Sequence, residues 1–357
     1  MDVPIFAYMR WAKEHSAAHR FDLMVSGVAP PDFPAIEAPL QPAPAADGDP
    51  GIERRIGERY GVPADHVLFV PGATLGLFLL TRCLMRPGDR VVVETPAYEN
   101  LPGLVRLFGG EAVPLPRRPE DGYHLDPDRL EAALAAGGSL VLITDLHNPT
   151  GVGAEGAELD AIRDVARRHG ARIVLDEVYR DFRPGPVATA YRDDDPVLVT
   201  TSSFTKVYGF GPARSGWICA PPDLRATAVH LVDYLTVLAP APVTGIARRL
   251  LTDADSFRDR GLRIAERGDT VFREWVRDRD DISFVEPAGG LTRFVAVRGL
   301  ADTEPMADWL RETHDTAVVP GRFFGDPGRI RVGLGIEPDL LRQALANLGD
   351  AIRRFRG

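Results

Sequence analysis

The sequence predicts an α/β protein: a mostly parallel open sheet, followed by a smaller α+β domain. Three observations predict it. Apolar runs at 67–70, 140–144 and 172–175 alternate with segments of helical spacing. Such runs suit strands buried on both faces, and the alternation suits a parallel sheet with crossover helices. Polar groups stand at the exits of these runs, at Gly72-Ala73-Thr74, Asn148, Asp176 and the hydroxyl run ending in Lys206. Ligands of open parallel sheets lie outside the C-terminal strand ends, so these groups can meet in one crevice. Beyond residue 245, shorter strands and helices mix, as in a separate α+β unit.

At 357 residues the chain exceeds one small core. The division expected is an N-terminal segment 1–40 joining the small domain, a large domain 41–245 and a small C-terminal domain 246–357. A net charge of −9 argues against nucleic acid or an anionic membrane as partner. No run of about 18 apolar residues predicts a membrane span, and the first residues lack the basic-then-apolar pattern of a secretory signal. Cys83 and Cys219 sit in apolar contexts, which predicts buried thiols in a reducing compartment, hence the cytoplasm. No His/Cys/Asp cluster has metal-ligand spacing, so no metal is expected.

Taken in order, residues 5–19 carry Phe6, Met9, Trp11 and Ala12 at helical spacing, which predicts an amphipathic helix. Residues 21–34 are extended and proline-punctuated, and 42–51 form a Pro/Ala/Gly/Asp linker. A helix at 53–60 precedes the strand 67–70. The glycine turn after it opens a helix whose free backbone N–H groups make Gly72, Ala73 and Thr74 candidates for holding an anion. The strand 90–94 ends before Tyr98, an aromatic ring that can stack on a planar ligand or cap the core. After a strand at 111–115, Asp126 caps a helix with Pro127 at its first position.

The strand 140–144 leads into His147-Asn-Pro-Thr-Gly151, where the turn aims the Asn148 amide at the crevice. A helix at 155–169 and a strand at 172–175 bring Asp176 to a strand end. A carboxylate buried there needs a partner, either a ligand cation or the backbone of the next turn. The apolar run 197–199 is a short strand, after which the hydroxyls of 200–203 read as a loop leading to Lys206. Helices at 225–238, 244–251 and 255–279, strands at 282–285, 290–297 and 317–320, and helices at 301–314 and 338–355 complete the chain.

Chemistry concentrates in Thr200-Thr-Ser-Ser-Phe-Thr-Lys-Val-Tyr-Gly-Phe-Gly-Pro-Ala-Arg-Ser-Gly-Trp217. Its hydroxyls and the fork of Arg214 suit a phosphate. The amine of Lys206 can condense with a carbonyl. A surface lysine in a Ser/Thr loop is the plainer reading of this stretch alone. Within it stands Ser203-x-x-Lys206 with Arg214 eight positions on, and two further features precede it: Asn148-Pro-Thr-Gly151, then Asp176-x-x-Tyr179. With these the chain resembles the fold-type I enzymes dependent on pyridoxal 5′-phosphate (PLP), in the class I/II aminotransferase family.

The resemblance implies a PLP-dependent transferase-like large domain. It implies that Lys206 holds the cofactor aldehyde and moves the substrate proton, and that Asp176 meets the ring nitrogen. Asn148 and Tyr179 would donate to the ring oxygen, and Tyr98 would cover the ring. Gly72, Ala73, Thr74, Ser203 and Arg214 would hold the phosphate. Arg331 would clamp the substrate carboxylate, with Ser26, Gly27 and Asn148 beside it. Arg293 and Arg322 are the candidates for a second, side-chain carboxylate. The implied activity is transfer of an amino group between an L-amino acid and a 2-keto acid, in a homodimer. A PLP-dependent lyase, cyclase or oxidase is the alternative on the same scaffold, and a non-catalytic PLP-binding regulatory module a third. The chain departs from the family in one respect: no tyrosine stands between Phe33 and Ile52, where members reach the partner subunit's phosphate.

Overall fold

The computed structural model describes residues 3–15, 19–31, 50–154 and 156–356. The predicted linker at 42–51 lies almost wholly outside them. The chain enters through α1 (Ala7–His15) and β1 (Phe21–Asp22). Then come α2 (Pro50–Tyr60), β2 (Val67–Val70), α3 (Ala73–Leu84), β3 (Arg90–Thr95), α4 (Asn100–Leu107) and β4 (Glu111–Pro116). They are followed by α5 (Pro127–Ala135), β5 (Gly138–Thr144), α6 (Ala157–Arg168), β6 (Arg172–Asp176), β7 (Leu198–Ser203) and β8 (Gly216–Cys219). Helices α7 (Pro222–Leu235), α8 (Ala241–Thr252) and α9 (Ala254–Val276) precede β9 (Ile282–Ser283) and β10 (Thr292–Val297). The chain finishes with α10 (Glu304–His314), β11 (Thr316–Ala317), β12 (Val319–Pro320), β13 (Arg329–Gly333) and α11 (Pro338–Arg356).

The main sheet has seven strands in the order β2-β8-β7-β6-β5-β3-β4. The strands from β7 to β4 pair in parallel, while β8 runs antiparallel to both of its neighbours. Period-two alternation builds two cores on it. Val141, Ile143, Ile173 and Leu175 turn to one face, under Leu130 and Leu134 of α5 and Ile162 of α6. Leu140, Leu142 and Val174 turn to the other, with Leu77 and Leu80 of α3 and Leu101 of α4. Burial on both faces is why these strands read as unbroken apolar runs.

Two predicted elements change. The hydroxyls of 200–203 belong to β7, which continues to Ser203 and is buried throughout. They survive burial because they find partners: Thr201 Oγ1 donates to Trp217 O at 3.0 Å and Ser202 Oγ to Glu177 O at 3.2 Å. The predicted strand 317–320 divides, with β11 pairing β1 and β12 pairing β13.

The second sheet is antiparallel, in the order β12-β13-β10-β9, and α9, α10 and α11 pack beside it. The entry segment is bound to this half of the chain. Phe21 and Asp22 pair in parallel with Thr316 and Ala317, and Gly333 N donates to Leu23 O at 2.6 Å. No helix among the described residues is long and apolar enough to cross a membrane, and none of their His/Cys/Asp/Glu side chains group to hold a metal ion.

Candidate active site

The C-terminal ends of β2, β5, β6 and β7 open onto one cavity of about 180 Å³. It is lined by Ala73 and Thr74, Tyr98, Asn148, Asp176 and Tyr179, Ser203 and Lys206, Arg214, Ser26 and Arg331. The entry segment crosses its mouth. Gly27 lies outside the lining and packs on the lysine loop, where a Cβ would come within 3.3 Å of the Lys206 Cα. Val28 N donates to Lys206 O at 3.0 Å, which fixes this crossing. Ser26 is thereby brought to the amine: Lys206 Nζ donates to Ser26 Oγ at 3.1 Å, and Tyr179 OH donates to the same oxygen at 3.0 Å. The ammonium also lies 5.3 Å from the centre of the Tyr179 ring.

Asp176 ends β6 as a buried carboxylate. One oxygen accepts from Val178 N at 3.1 Å. Burial pushes its pKa up to about 6, against the pull of that N–H and of the Lys206 charge. Among the described residues no cation forms an ion pair with this carboxylate. Its neighbour Glu177 points instead into structure, accepting from Thr189 Oγ1 and Ala190 N at 2.6 Å each. Burial pushes Glu177 up as well, to about 7.

The third corner is an anion cradle. Helix α3 begins at Gly72 with no side chain capping it, so its first N–H groups face the cavity from Ala73 and Thr74. Gly72 has φ +88°, and a Cβ there would sit 2.3 Å from Arg214 Nη2. Glycine is required on both counts, and its absence of a side chain seats the guanidinium against the helix start. Arg214 itself adopts the left-handed region at φ 48°. Ser203 Oγ donates to Thr205 Oγ1 at 2.9 Å at the cradle's edge.

Arg331 of β13 enters from the second sheet and is 1% exposed. Its Nη1 donates to Asn148 Oδ1 at 3.1 Å, leaving the Nδ2 donors of Asn148 for a ligand. The other arginines raised by the sequence do not line the cavity. Arg293 is buried against Asp269, and Arg322 pairs with Glu304 at 2.6 Å on the surface. The sequence reading missed Tyr8 and Met9 of α1, which form part of the wall. The signal was present in the amphipathic spacing of that helix, but nothing local tells which of its apolar residues faces a site some 320 positions away.

The residues present fit PLP. The amine of Lys206 suits an aldehyde, Asp176 (without an ion pair among the described residues) a protonated ring nitrogen, and the uncapped helix start with Arg214 a phosphate. Fold and cavity together define the class: an enzyme that works with PLP on the fold-type I scaffold. Comparison with known proteins agrees. The family model described as aminotransferase class I and II matches residues 40–348. The capreomycidine synthase of Streptomyces vinaceus is 30% identical over 310 residues, 85% of this chain and 79% of that protein. The arginine–pyruvate transaminase of Pseudomonas aeruginosa is 26% identical over 353 residues, 90% and 88% of the two chains. Among solved structures, a PLP-dependent cyclase, OrfR, superposes with a TM-score of 0.89 at 27% identity, over 99% of this chain and 98% of that one. This chain belongs to the class I and II aminotransferase family.

Proposed function

We propose that the protein moves an amino group between an L-amino acid and a 2-keto acid, with Lys206 as the group that carries the proton. The observation carrying this reading is that one cavity brings together the Lys206 amine, Arg331 and the buried Asp176, which makes no ion pair among the described residues. PLP, when bound, supplies a sink for the electrons left on the substrate Cα. Asp176 would hold positive charge at the ring nitrogen, and Tyr98 would cover the ring. Ala73, Thr74, Ser203 and Arg214 would bind the phosphate, with Gly72 giving the close approach. Asn148 and Tyr179 would donate to the ring oxygen. Arg331 would orient the substrate through its carboxylate, with Ser26 lining the same cavity. Lys206 Nζ would take the proton from the substrate Cα and carry it across the substrate nitrogen.

The division of the chain follows the same reading: 41–245 binds the cofactor, while 1–40 joins 246–357 as the substrate-clamping part. The expected assembly is a cytoplasmic homodimer. Its support is the exposed apolar cluster Tyr234, Leu235, Val237 and Leu238, with Tyr234 90% exposed. The names of the synthase and cyclase relatives favour a second reading, cyclisation of an amino acid on the same site. A single-turnover incubation of holoenzyme with a panel of amino acids separates the two. Transamination releases one 2-keto acid per cofactor. Consumption of an arginine-like substrate without keto acid would replace the first reading with the second.

A further inference from the structure

Arg331 is held more fully than a free carboxylate clamp needs to be. A guanidinium has five N–H donors. Nη1 gives one to Asn148, while Nη2 gives one to Tyr8 OH at 2.9 Å and one to Met24 O at 2.7 Å. Nε is buried with no partner among the described residues. The edge of the fork that carries Nε also carries Nη2, and a two-pronged carboxylate needs both. Both hydrogens of Nη2 are taken, so one of its present acceptors has to yield.

Met24 O is backbone and is fixed. Its own N–H donates to Asp22 Oδ1 at 2.9 Å, and the adjoining Leu23 is tied to Ala317 and Gly333. Tyr8 OH is a side-chain group whose single hydrogen-bond partner among the described residues is Arg331, for which it is only an acceptor. Its proton is therefore uncommitted. The ring is well supported, edge-on to Tyr98 at 5.9 Å and to Phe323 at 5.6 Å. The helix start that carries it is held by Glu99, whose two carboxylate oxygens accept from Ala7 N at 3.1 Å and Tyr8 N at 2.6 Å.

We propose that Tyr8 is a substrate-binding residue whose hydroxyl changes partner when substrate arrives. It releases Nη2 and donates its own proton to the α-carboxylate, which Nε and Nη2 then grip along one edge of Arg331. No bond is made or broken and no charge moves; one acceptor becomes one donor. Glu99 is the positioning residue behind it. The inference rests on the proposed placement of the carboxylate at Arg331, and it adds a third hand from α1.

The test compares wild-type, Tyr8→Phe and Glu99→Gln holoenzyme. The probes are the best amino acid of the panel, its decarboxylated amine and its Cα-methyl derivative, which cannot lose a Cα proton. Tyr8→Phe keeps the ring and should raise KM for the amino acid about tenfold, the worth of a hydrogen bond to a charged group. The Kd of the Cα-methyl derivative, read by calorimetry, should weaken in parallel, while kcat and the affinity for the amine stay within about twofold. Glu99→Gln, which retains the hydroxyl, should move the same constants in the same direction by less. Equal effects on acid and amine, or no effect on either, would overturn the proposal. If wild-type protein releases no keto acid, the function reading fails separately, since the calorimetric comparison needs no turnover. If Tyr8→Phe does not fold, the acid-to-amine ratio in Glu99→Gln decides, and an unchanged ratio overturns the proposal.

Discussion

Asp176→Asn should stabilise the cofactor-free protein while disabling the holoenzyme. The amide keeps the hydrogen bond from Val178 and removes only the charge. Asp176 has its pKa raised from an ordinary 3.8 to about 6 by burial. A raised carboxylate weakens the fold as pH climbs through the raised value, because the folded state resists an ionisation that the unfolded chain accepts. The gap between 3.8 and about 6 amounts to about 3 kcal/mol at pH 8, where both states are ionised, and about half that at pH 5. Thermal or urea unfolding of the cofactor-free wild type and variant at these two pH values reads the difference directly. With PLP present the sign should reverse, since the ring nitrogen loses its counter-charge; turnover should fall on the order of 100-fold or more. A cofactor-free Asp176→Asn protein less stable than wild type at pH 8 would refute the reasoning. It would mean that the protein already supplies a cation for this carboxylate.

Lys206→Ala should remove both the visible absorbance of the lysine-bound aldehyde and all keto-acid release, checked by spectrum and by single-turnover product analysis. Arg331→Lys should lower kcat/KM for amino acids by about 10- to 100-fold, mostly through KM, because an ammonium cannot reproduce the fork. Gly72→Ala should cost about 1 kcal/mol or more for its positive φ and, by displacing Arg214, weaken PLP affinity measured by fluorescence titration. Arg293→Ala should lower stability by about 1–3 kcal/mol through the loss of a buried side chain and its ion pair with Asp269, which keeps Arg273 at 2.6 Å, yet leave the ratio of KM values for aspartate and alanine unchanged.

The parallel strands were legible because burial on both faces leaves an unbroken apolar run, and the groups of the cavity were legible because they stand where those runs stop. Asn148 and Asp176 each stand at a strand end that the sequence marks. Strand β7 was cut short because Thr200 to Ser203 carry hydroxyls, whose partners, Trp217 O and Glu177 O, are invisible without the fold. Strand β8 went unread: four residues beginning with glycine make too short a run. Tyr8 was missed for a different reason. The role proposed for it depends on Arg331 and Glu99, two contacts made across long stretches of chain, and helical spacing reports only that a side is apolar. The charged partners of Arg293 and Arg322 were equally hidden, since a lone arginine in a sequence looks the same whether or not an acid awaits it.

Strand β8 returns against β7, with Ser203 opposite Gly216. Lys206 and Arg214 therefore ride on one closed connection whose two feet are stapled together by the sheet. That connection works as a ruler: it sets the span from amine to guanidinium before anything else in the cavity is fixed. Inserting or deleting a residue between them would move the anchor for one end of a ligand relative to the anchor for the other, so its length is as constrained as the chemistry it carries.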